Sequence, residues 1–291
     1  MSKTIILIGP PGSGKTTAIE TLEGGTVLFN FDPGGWRSLD RSPLPEEERS
    51  LILQGKKKAR IPKRLKFAKT FRQWVETKDI LQPDEILIID YETKRNVINL
   101  GLMPLYSTDI FLESSQDINK MESQSLLKER GICHVVGDSL TGWQQAIHDA
   151  IITFRGPTKG GYIGPDQDTY GKAIEKMAEV IDTCYHLSVD FILTAHSRMD
   201  KDAISGKIVE ELSIYGKSLP ERIASMTDDI YYCSVDVSKN PPSYLWSAHP
   251  QDFLKALRAR SFDYLPHTFE ANFTKLYGER LVRPTPSTVP K

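Results

Sequence analysis

Eight consecutive residues near the start of the chain carry its most specific chemistry. Gly9-Pro10-Pro11-Gly12-Ser13-Gly14-Lys15-Thr16 matches G-x-x-x-x-G-K-[ST] at every position, after an apolar run and before a helix-compatible segment, which is the context the motif requires. Glycines let successive backbone N–H groups turn toward one anion. A helix starting near Lys15 adds its positive end. In such a loop the lysine reaches the β- and γ-phosphates and the hydroxyl after it ligates Mg2+. The pattern predicts a site for ATP and Mg2+, with Lys15 on the phosphates, Thr16 on the metal, and Gly9, Pro10, Pro11, Gly12, Ser13, Gly14 and Thr17 completing the cradle.

Such a site needs an acid at the end of a nearby strand to hold the metal shell. Two segments offer one. Cys133-His134-Val135-Val136-Gly137-Asp138 ends in Asp138, and Ile86-Leu87-Ile88-Ile89-Asp90 ends in Asp90, closer in sequence to Lys15. Spacing leaves both open. A third carboxylate, Asp32, closes Leu28-Phe29-Asn30-Phe31 ahead of Pro33-Gly34-Gly35. In a parallel sheet it faces the same side as the phosphate loop, where it can orient or deprotonate the attacking water. An Asp before Pro-Gly-Gly also suits a plain turn.

These residues have to be carried by strands. Apolar runs at 4–8, 26–31, 85–89, 132–137, 190–195 and 229–235 alternate with helix-periodic segments. That alternation predicts an α/β fold with a mainly parallel central sheet flanked by helices. Residues 244–248 add an antiparallel strand after the Pro241-Pro242 turn. Two helices are marked by apolar positions at helical spacing. One carries Trp143, Ile147, Ala150, Ile151 and Phe154; the other carries Ala173, Met177, Val180, Ile181, Cys184 and Leu187. Both stripes read as core. Three segments read as loops: 34–69, broken by Pro43, Pro45 and Pro62; the Gly-rich 155–167; and the polar 197–213. Residues 1–282 form one domain in this reading, with 34–130 as an insertion or extension and 283–291 as a disordered tail.

Composition narrows the classes. The 291 residues carry 37 Lys and Arg against 38 Asp and Glu, a net charge of −1, which excludes a histone-like coating protein. Hydrophobic residues make up 39% and charged ones 26%, an ordinary soluble balance. No apolar stretch approaches the ~20 residues that span a bilayer, and Met1-Ser2-Lys3 leads straight into the first strand, so neither a membrane partner nor a signal peptide is expected. Three distant cysteines, Cys133, Cys184 and Cys233, form no disulfide framework and fit reduced thiols of a cytoplasmic protein. One local charge run stands out. Lys56, Lys57, Lys58, Arg60, Lys63, Arg64, Lys66, Lys69 and Arg72 fall within 56–72 with no acid among them. Such a cluster suits nucleic-acid phosphates, a solvated face or contact with an acidic partner.

The order of several pieces resembles the phage-type RecA-like ATPases allied to single-strand annealing proteins. The pieces are the phosphate loop, Asn30-Phe31-Asp32-Pro33-Gly34-Gly35, Asp138-Ser139-Leu140-Thr141, Thr194-Ala195-His196 and the distal Lys255, Arg258 and Arg260. The resemblance implies a RecA-like P-loop fold and favours Asp138 over Asp90 as the metal-side acid. It implies that His196 reports the γ-phosphate to the polar segment after it, and that Arg258 and Arg260 act on the nucleotide of a neighbouring subunit in a homo-oligomer. It further implies ATP hydrolysis coupled to single-stranded DNA in phage recombination or replication, a single-strand-binding or annealing protein as partner, and the host cytoplasm as location. Arg155, Lys159 and Tyr162 lie where such proteins place a DNA loop, and Tyr162 is of a type that stacks on an unpaired base. The chain departs from the family's usual Asp-x-Glu strand end, having Asn30 and Asp32. Two other readings share the phosphate loop: a nucleotide-gated binding module with negligible hydrolysis, and a small-molecule kinase with Lys255–Arg260 as its lid.

Overall fold

The structure is a computed structural model that describes residues 2–32, 35–39, 63–91, 114–118, 120–121, 124–155, 166–201, 206, 208–216, 219–248, 257–260 and 265–279. Its first half runs β1 (Thr4–Gly9), α1 (Lys15–Ile19), β2 (Gly25–Asn30), a 3-10 turn (Gly35–Leu39), β3 (Arg64–Ala68), α2 (Phe71–Glu76), β4 (Glu85–Asp90), α3 (Gln124–Glu129) and β5 (Ile132–Asp138). It continues with α4 (Leu140–Arg155), α5 (Gln167–Tyr185), β6 (Asp190–Lys201), β7 (Ile208–Leu212), α6 (Leu219–Met226), β8 (Asp229–Asp236), β9 (Ser243–Ser247), β10 (Arg258–Ala259), β11 (Thr268–Glu270) and α7 (Phe273–Glu279).

The sheet order is β11-β9-β8-β1-β6-β5-β2-β4-β3, with β10 on β8 and β7 on β6. Strands β1 to β6 and β8 run parallel within it. Strands β9, β10 and β11 join antiparallel at the β8 side. This is an α/β fold with a mainly parallel central sheet flanked by helices. The chain leaves β1, skips the places of β6 and β5, and returns as β2. The reversal of strand order falls beside β1, and the crevice outside the C-terminal strand ends at such a point is where α/β sheets bind ligands.

The parallel strands inside the sheet, such as β1, β2 and β4, are buried on both faces, which explains their unbroken apolar runs. Ile6, Ile8, Val27, Phe29 and Leu193 face the layer closed by α4 and α5 through Trp143, Ile147, Met177 and Ile181. Ile5, Leu7, Leu28, Val136 and Ile192 face the opposite layer, closed by Ile19 of α1, Phe273 and Leu276 of α7, and Trp246 of β9. Both predicted helix stripes lie in the core, apart from the half-buried Ile151 and Phe154, whose side chain is outside the described residues. No helix among the described residues is long and apolar enough to cross a membrane.

Two expected loops contain strands. Residues 197–213 form a hairpin: β6 continues to Lys201 and β7 returns antiparallel, with Ser197 opposite Leu212 and Lys201 opposite Ile208. The polar residues that read as loop are cross-strand partners. Arg198 pairs with Glu211 at 2.8 Å, Ser197 bonds Glu210, and Val209 and Leu212 are buried. Likewise the end of the basic run forms β3, the sheet's edge. Its cations are met by the chain's own acids: Arg64 reaches Glu85 at 2.8 Å, and Lys66 reaches Asp79 at 2.8 Å and Glu85 at 3.0 Å. Lys63 donates to the carbonyls of Gly24 and Pro83. Arg72 pairs with Asp117 at 3.0 Å. Lys56, Lys57, Lys58 and Arg60 lie outside the described residues, as do Lys159, Tyr162 and the tail.

The expected extension thus contributes sheet and core. Asp117, in a helical stretch at 114–118, is fully buried. It accepts from the Phe71 and Arg72 amides at 2.7 and 3.2 Å and from Tyr91 Oη at 2.6 Å. It thereby satisfies the free N–H groups at the start of α2. Replacing Asp117 by Ala orphans these buried donors. The expected loss is about 2–4 kcal/mol, read as a lower urea midpoint, and an unchanged midpoint would show that the segment is not anchored this way.

Candidate functional site

The phosphate loop joins β1 to α1. Gly12 and Gly14 take left-handed φ values of 78° and 82°. At Gly14 space is as decisive as conformation: a Cβ there would lie 2.4 Å from the Tyr244 ring. Lys15 turns back into the loop, and its Nζ donates to the carbonyls of Gly9 and Pro10, both at 2.8 Å. Burial lowers the Lys15 pKa from its ordinary value, against the opposing pull of the Cys233 thiol and of the Asp138 and Asp32 carboxylates.

Strand register brings the acids to this loop. Gly9 is level with His196 across β1 and β6, and Asn30 is level with both Asp138 and Asp90 across β2 and its two neighbours. Asp138 is buried. Its Oδ2 accepts from Thr16 Oγ1 at 2.8 Å and its Oδ1 from Thr194 Oγ1. Burial raises the Asp138 pKa above the usual carboxylate range. The Thr194 and Thr16 hydroxyls oppose the shift, and the Asp32 charge adds to it. Asp90 is turned elsewhere, accepting from Asn30 Nδ2 at 2.9 Å and from Trp36 Nε1 at 3.0 Å. Strand order explains the difference, because β4 lies one strand beyond β2, on the side away from the phosphate loop.

Asp32 also enters the crevice. Its Oδ1 accepts from Ser139 Oγ at 2.6 Å and its Oδ2 is 2.8 Å from His196 Nε2. Burial alone would raise the Asp32 pKa. Hydrogen bonds from His196 and Ser139, with the charges of His196 and Lys15, outweigh it and hold this carboxyl below its ordinary value. Ser139 Oγ in turn accepts from the Gly142 amide at 3.1 Å, tying Asp32 to the first turn of α4. His196 is fixed through its amide on Thr141 Oγ1 at 3.2 Å.

The crevice is a cavity of about 490 Å3, lined by Pro11 through Thr17, Asp32, Gly35, Ser38, Asp138, His196 and Tyr244. Sequence reasoning missed Tyr244, Ser38, Thr194 and the role of Ser139. Tyr244 is the second residue of β9, and the β8–β9 pairing, with Val235 opposite Tyr244, carries it to the loop. Lys15, Thr16, Asp32, Asp138 and His196 converge. The described parts of the distal basic segment, the Arg258 backbone and Arg260, do not join them. Arg258 is level with Ile230 at the start of β8, and the Arg260 amide donates to the Asp228 carbonyl. That is the end of the sheet opposite the chain's own phosphate loop. Lys255 and the Arg258 side chain lie outside the described residues.

An oxygen-only donor set suits a hard cation, and Mg2+ takes one or two protein ligands and fills its shell from waters and phosphates. Thr16 Oγ1 and Asp138 Oδ2, in mutual contact, are the residues that would hold it. There it would offset phosphate charge. Among the described residues no cluster of three or more His, Cys, Asp or Glu could hold a metal by itself.

A phosphate loop on the central strand, with an acid and a hydroxyl meeting beside it, defines a P-loop nucleotide-binding protein of the ATPase type. Residues 1–256 match the AAA domain family, and the chain belongs to it. Among solved structures, a KaiC-like protein from the hyperthermophilic archaeon Pyrococcus horikoshii OT3 is similar at 14% identity and a TM-score of 0.34, over 84% of this chain and 77% of its own. An ATPase from the type III secretion system of pathogenic bacteria is similar at 10% identity and a TM-score of 0.38, over 83% of this chain and 54% of its own. No curated protein matches this chain.

The two acids separate experimentally. Asp138→Asn removes the charge beside Thr16, so Mg2+-dependent turnover should fall by about 100-fold or more, in the range that loss of a single charge-stabilising group costs. Asp90→Asn should change it less than about threefold. Steady-state phosphate release of the two variants decides the matter, and the reverse ranking would move the metal to Asp90.

Proposed function

We infer that this chain hydrolyses ATP with Mg2+ and couples the cycle to single-stranded DNA, in recombination or replication of a phage genome. The observation that carries the hydrolysis is the convergence of Asp32, Ser139 and His196 on the crevice that holds Lys15, Thr16 and Asp138. Asp32 is held ionised, the form a group needs to take a proton from water. His196 contacts Asp32 and lies on β6, the strand that runs on into the β6–β7 hairpin. A change at the nucleotide therefore has one continuous strand along which to reach a surface beyond the sheet. Single-stranded DNA on that surface, or on the Gly-rich segment after α4, is the partner that fits the resemblance.

Arg258 and Arg260 sit at the wrong end of the sheet to serve their own nucleotide. That placement favours action on a neighbouring subunit's nucleotide over a kinase-type lid in cis. A second reading, a nucleotide-gated binding module with negligible hydrolysis, is favoured by one observation. Each Asp32 oxygen is already hydrogen-bonded, to Ser139 and His196, which stabilises the ionised form and makes it a weaker base toward water.

Phosphate release with and without a single-stranded oligothymidylate tests both readings. DNA should raise turnover at least about tenfold, a shift of about 1.4 kcal/mol in the barrier. Turnover that stays at background in both conditions selects the binding module, and turnover indifferent to DNA removes the DNA coupling. Assembly has its own test. Lys15→Ala and Arg260→Ala should each be inert alone, and mixing them should restore hydrolysis at sites that combine an intact phosphate loop with a neighbour's Arg260. Near-normal activity of Arg260→Ala would return it to the solvated surface, where isolated charges contribute little.

A further inference from the structure

Asn30 stands at the end of β2, fully buried and level with Asp138 on one side and Asp90 on the other. Its amide is oriented by what it donates to. Nδ2 reaches the Asp32 carbonyl at 3.0 Å and Asp90 Oδ1 at 2.9 Å. Both are acceptors, so the nitrogen belongs on that side and the oxygen on the other. Asn30 Oδ1 is then a buried acceptor with no hydrogen-bond partner among the described residues. A buried carbonyl oxygen without a donor has given up its hydration for nothing in return, so one that persists calls for a reason.

The surroundings indicate one. Asn30 Oδ1 and Asp138 Oδ2 both face Gly35, at 2.7 and 3.0 Å from the point where a Cβ on that residue would stand. Gly35 lines the nucleotide crevice. Any side chain there would press on both oxygens, and glycine keeps them clear. Asp138 Oδ2 is also the oxygen that accepts from Thr16 Oγ1. One neutral acceptor and one carboxylate oxygen thus flank the same small space beside the Thr16 hydroxyl. A hard cation keeps most of its waters, and those waters need acceptors.

We propose that Asn30 is a positioning residue for the metal shell: its Oδ1 accepts a hydrogen bond from a water on the Mg2+ that Thr16 and Asp138 hold in the nucleotide complex. The proposal rests on that reading of Thr16 and Asp138. It gives this chain's Asn a function distinct from Asp32, two residues later, and accounts for an amide in a crevice otherwise served by carboxylates. An amide orients a shell water without adding a third negative charge beside Asp138 and Asp32.

The test uses the full chain and a fluorescent ATP analogue, with nucleotide affinity measured in EDTA and then as Mg2+ is added. Asn30→Ala should leave the affinity in EDTA unchanged and raise the Mg2+ concentration for half-maximal effect by about 10- to 100-fold, as loss of a group behind the metal ligands does. A lower thermal midpoint with a wild-type Mg2+ response would make Asn30 a structural anchor and overturn the proposal. Asp90→Asn disturbs the same anchor without touching Oδ1, and an equal shift in that variant would overturn it as well. Should Asn30→Ala not fold, Asn30→Asp keeps an oxygen in place and adds charge, so Mg2+ should bind more tightly; an unchanged or weaker response would refute the role. Thr16→Ala and Asp138→Asn are the reference. If neither moves the Mg2+ response, the metal reading of the crevice fails, and with it the premise rather than the assignment of Asn30 alone.

Discussion

A carboxylate removed from water holds the nucleotide end of the sheet together. Asp138 is 2% exposed and its oxygens bond two threonine hydroxyls, one from the phosphate loop and one from β6. Neutral hydroxyls compensate a buried charge incompletely, and the raised pKa follows from that shortfall. The alignment of four strand ends follows from it too. Thr16 comes from the turn after β1 and Thr194 from β6, while the Asp138 carbonyl accepts from the Phe31 and Asp32 amides just past β2. Moving any one of these strands by a residue would strip a partner from a group that has few.

A second layer of contacts is built outward from this centre. Ser139 follows Asp138 and turns its hydroxyl to Asp32 while capping α4. Phe31, between Asn30 and Asp32, stacks on Trp143 at 4.9 Å and on Tyr91 at 5.2 Å. The polar strand end is thus seated on an aromatic floor that reaches into the α4–α5 core. Alternation carried past the end of β2 makes both possible: Asn30 and Asp32 serve the crevice and Phe31 serves the core.

Much of this arrangement was legible in the residues. The phosphate loop has a fixed spacing, so its place after β1 needed no tertiary knowledge. The six apolar parallel strands were legible because burial within the sheet leaves an unbroken apolar run. What failed to show was whatever depends on pairing. The strands β3 and β7 hid behind charge, because Arg64, Lys66, Arg198 and Glu211 find partners across the sheet and look like loop residues in isolation. Asp90 and Asp138 could not be ranked by position alone, since each closes an apolar strand beside β2. Strand order separates them, and strand order is set by contacts far apart in the chain. Tyr244 and the setting of Asn30 were invisible for the same reason: Tyr244 meets Gly14 and Asn30 is level with Asp138, each across a long stretch of chain.

The posture of Lys15 bears on how any affinity of this loop should be read. Its ammonium is already engaged by two backbone carbonyls, so an arriving phosphate exchanges one set of oxygens for another. The lysine therefore contributes the difference between two charge-assisted arrangements rather than the whole of one. Before a nucleotide arrives, the same contacts make Lys15 a brace across the turn. Truncating it would take the Lys15 donor from the Gly9 and Pro10 carbonyls, leave Pro10 the Ser13 amide at 3.3 Å, and loosen the loop. Weakened binding in such a variant would then contain two contributions, a lost contact with phosphate and the cost of re-forming a cradle that no longer stands ready.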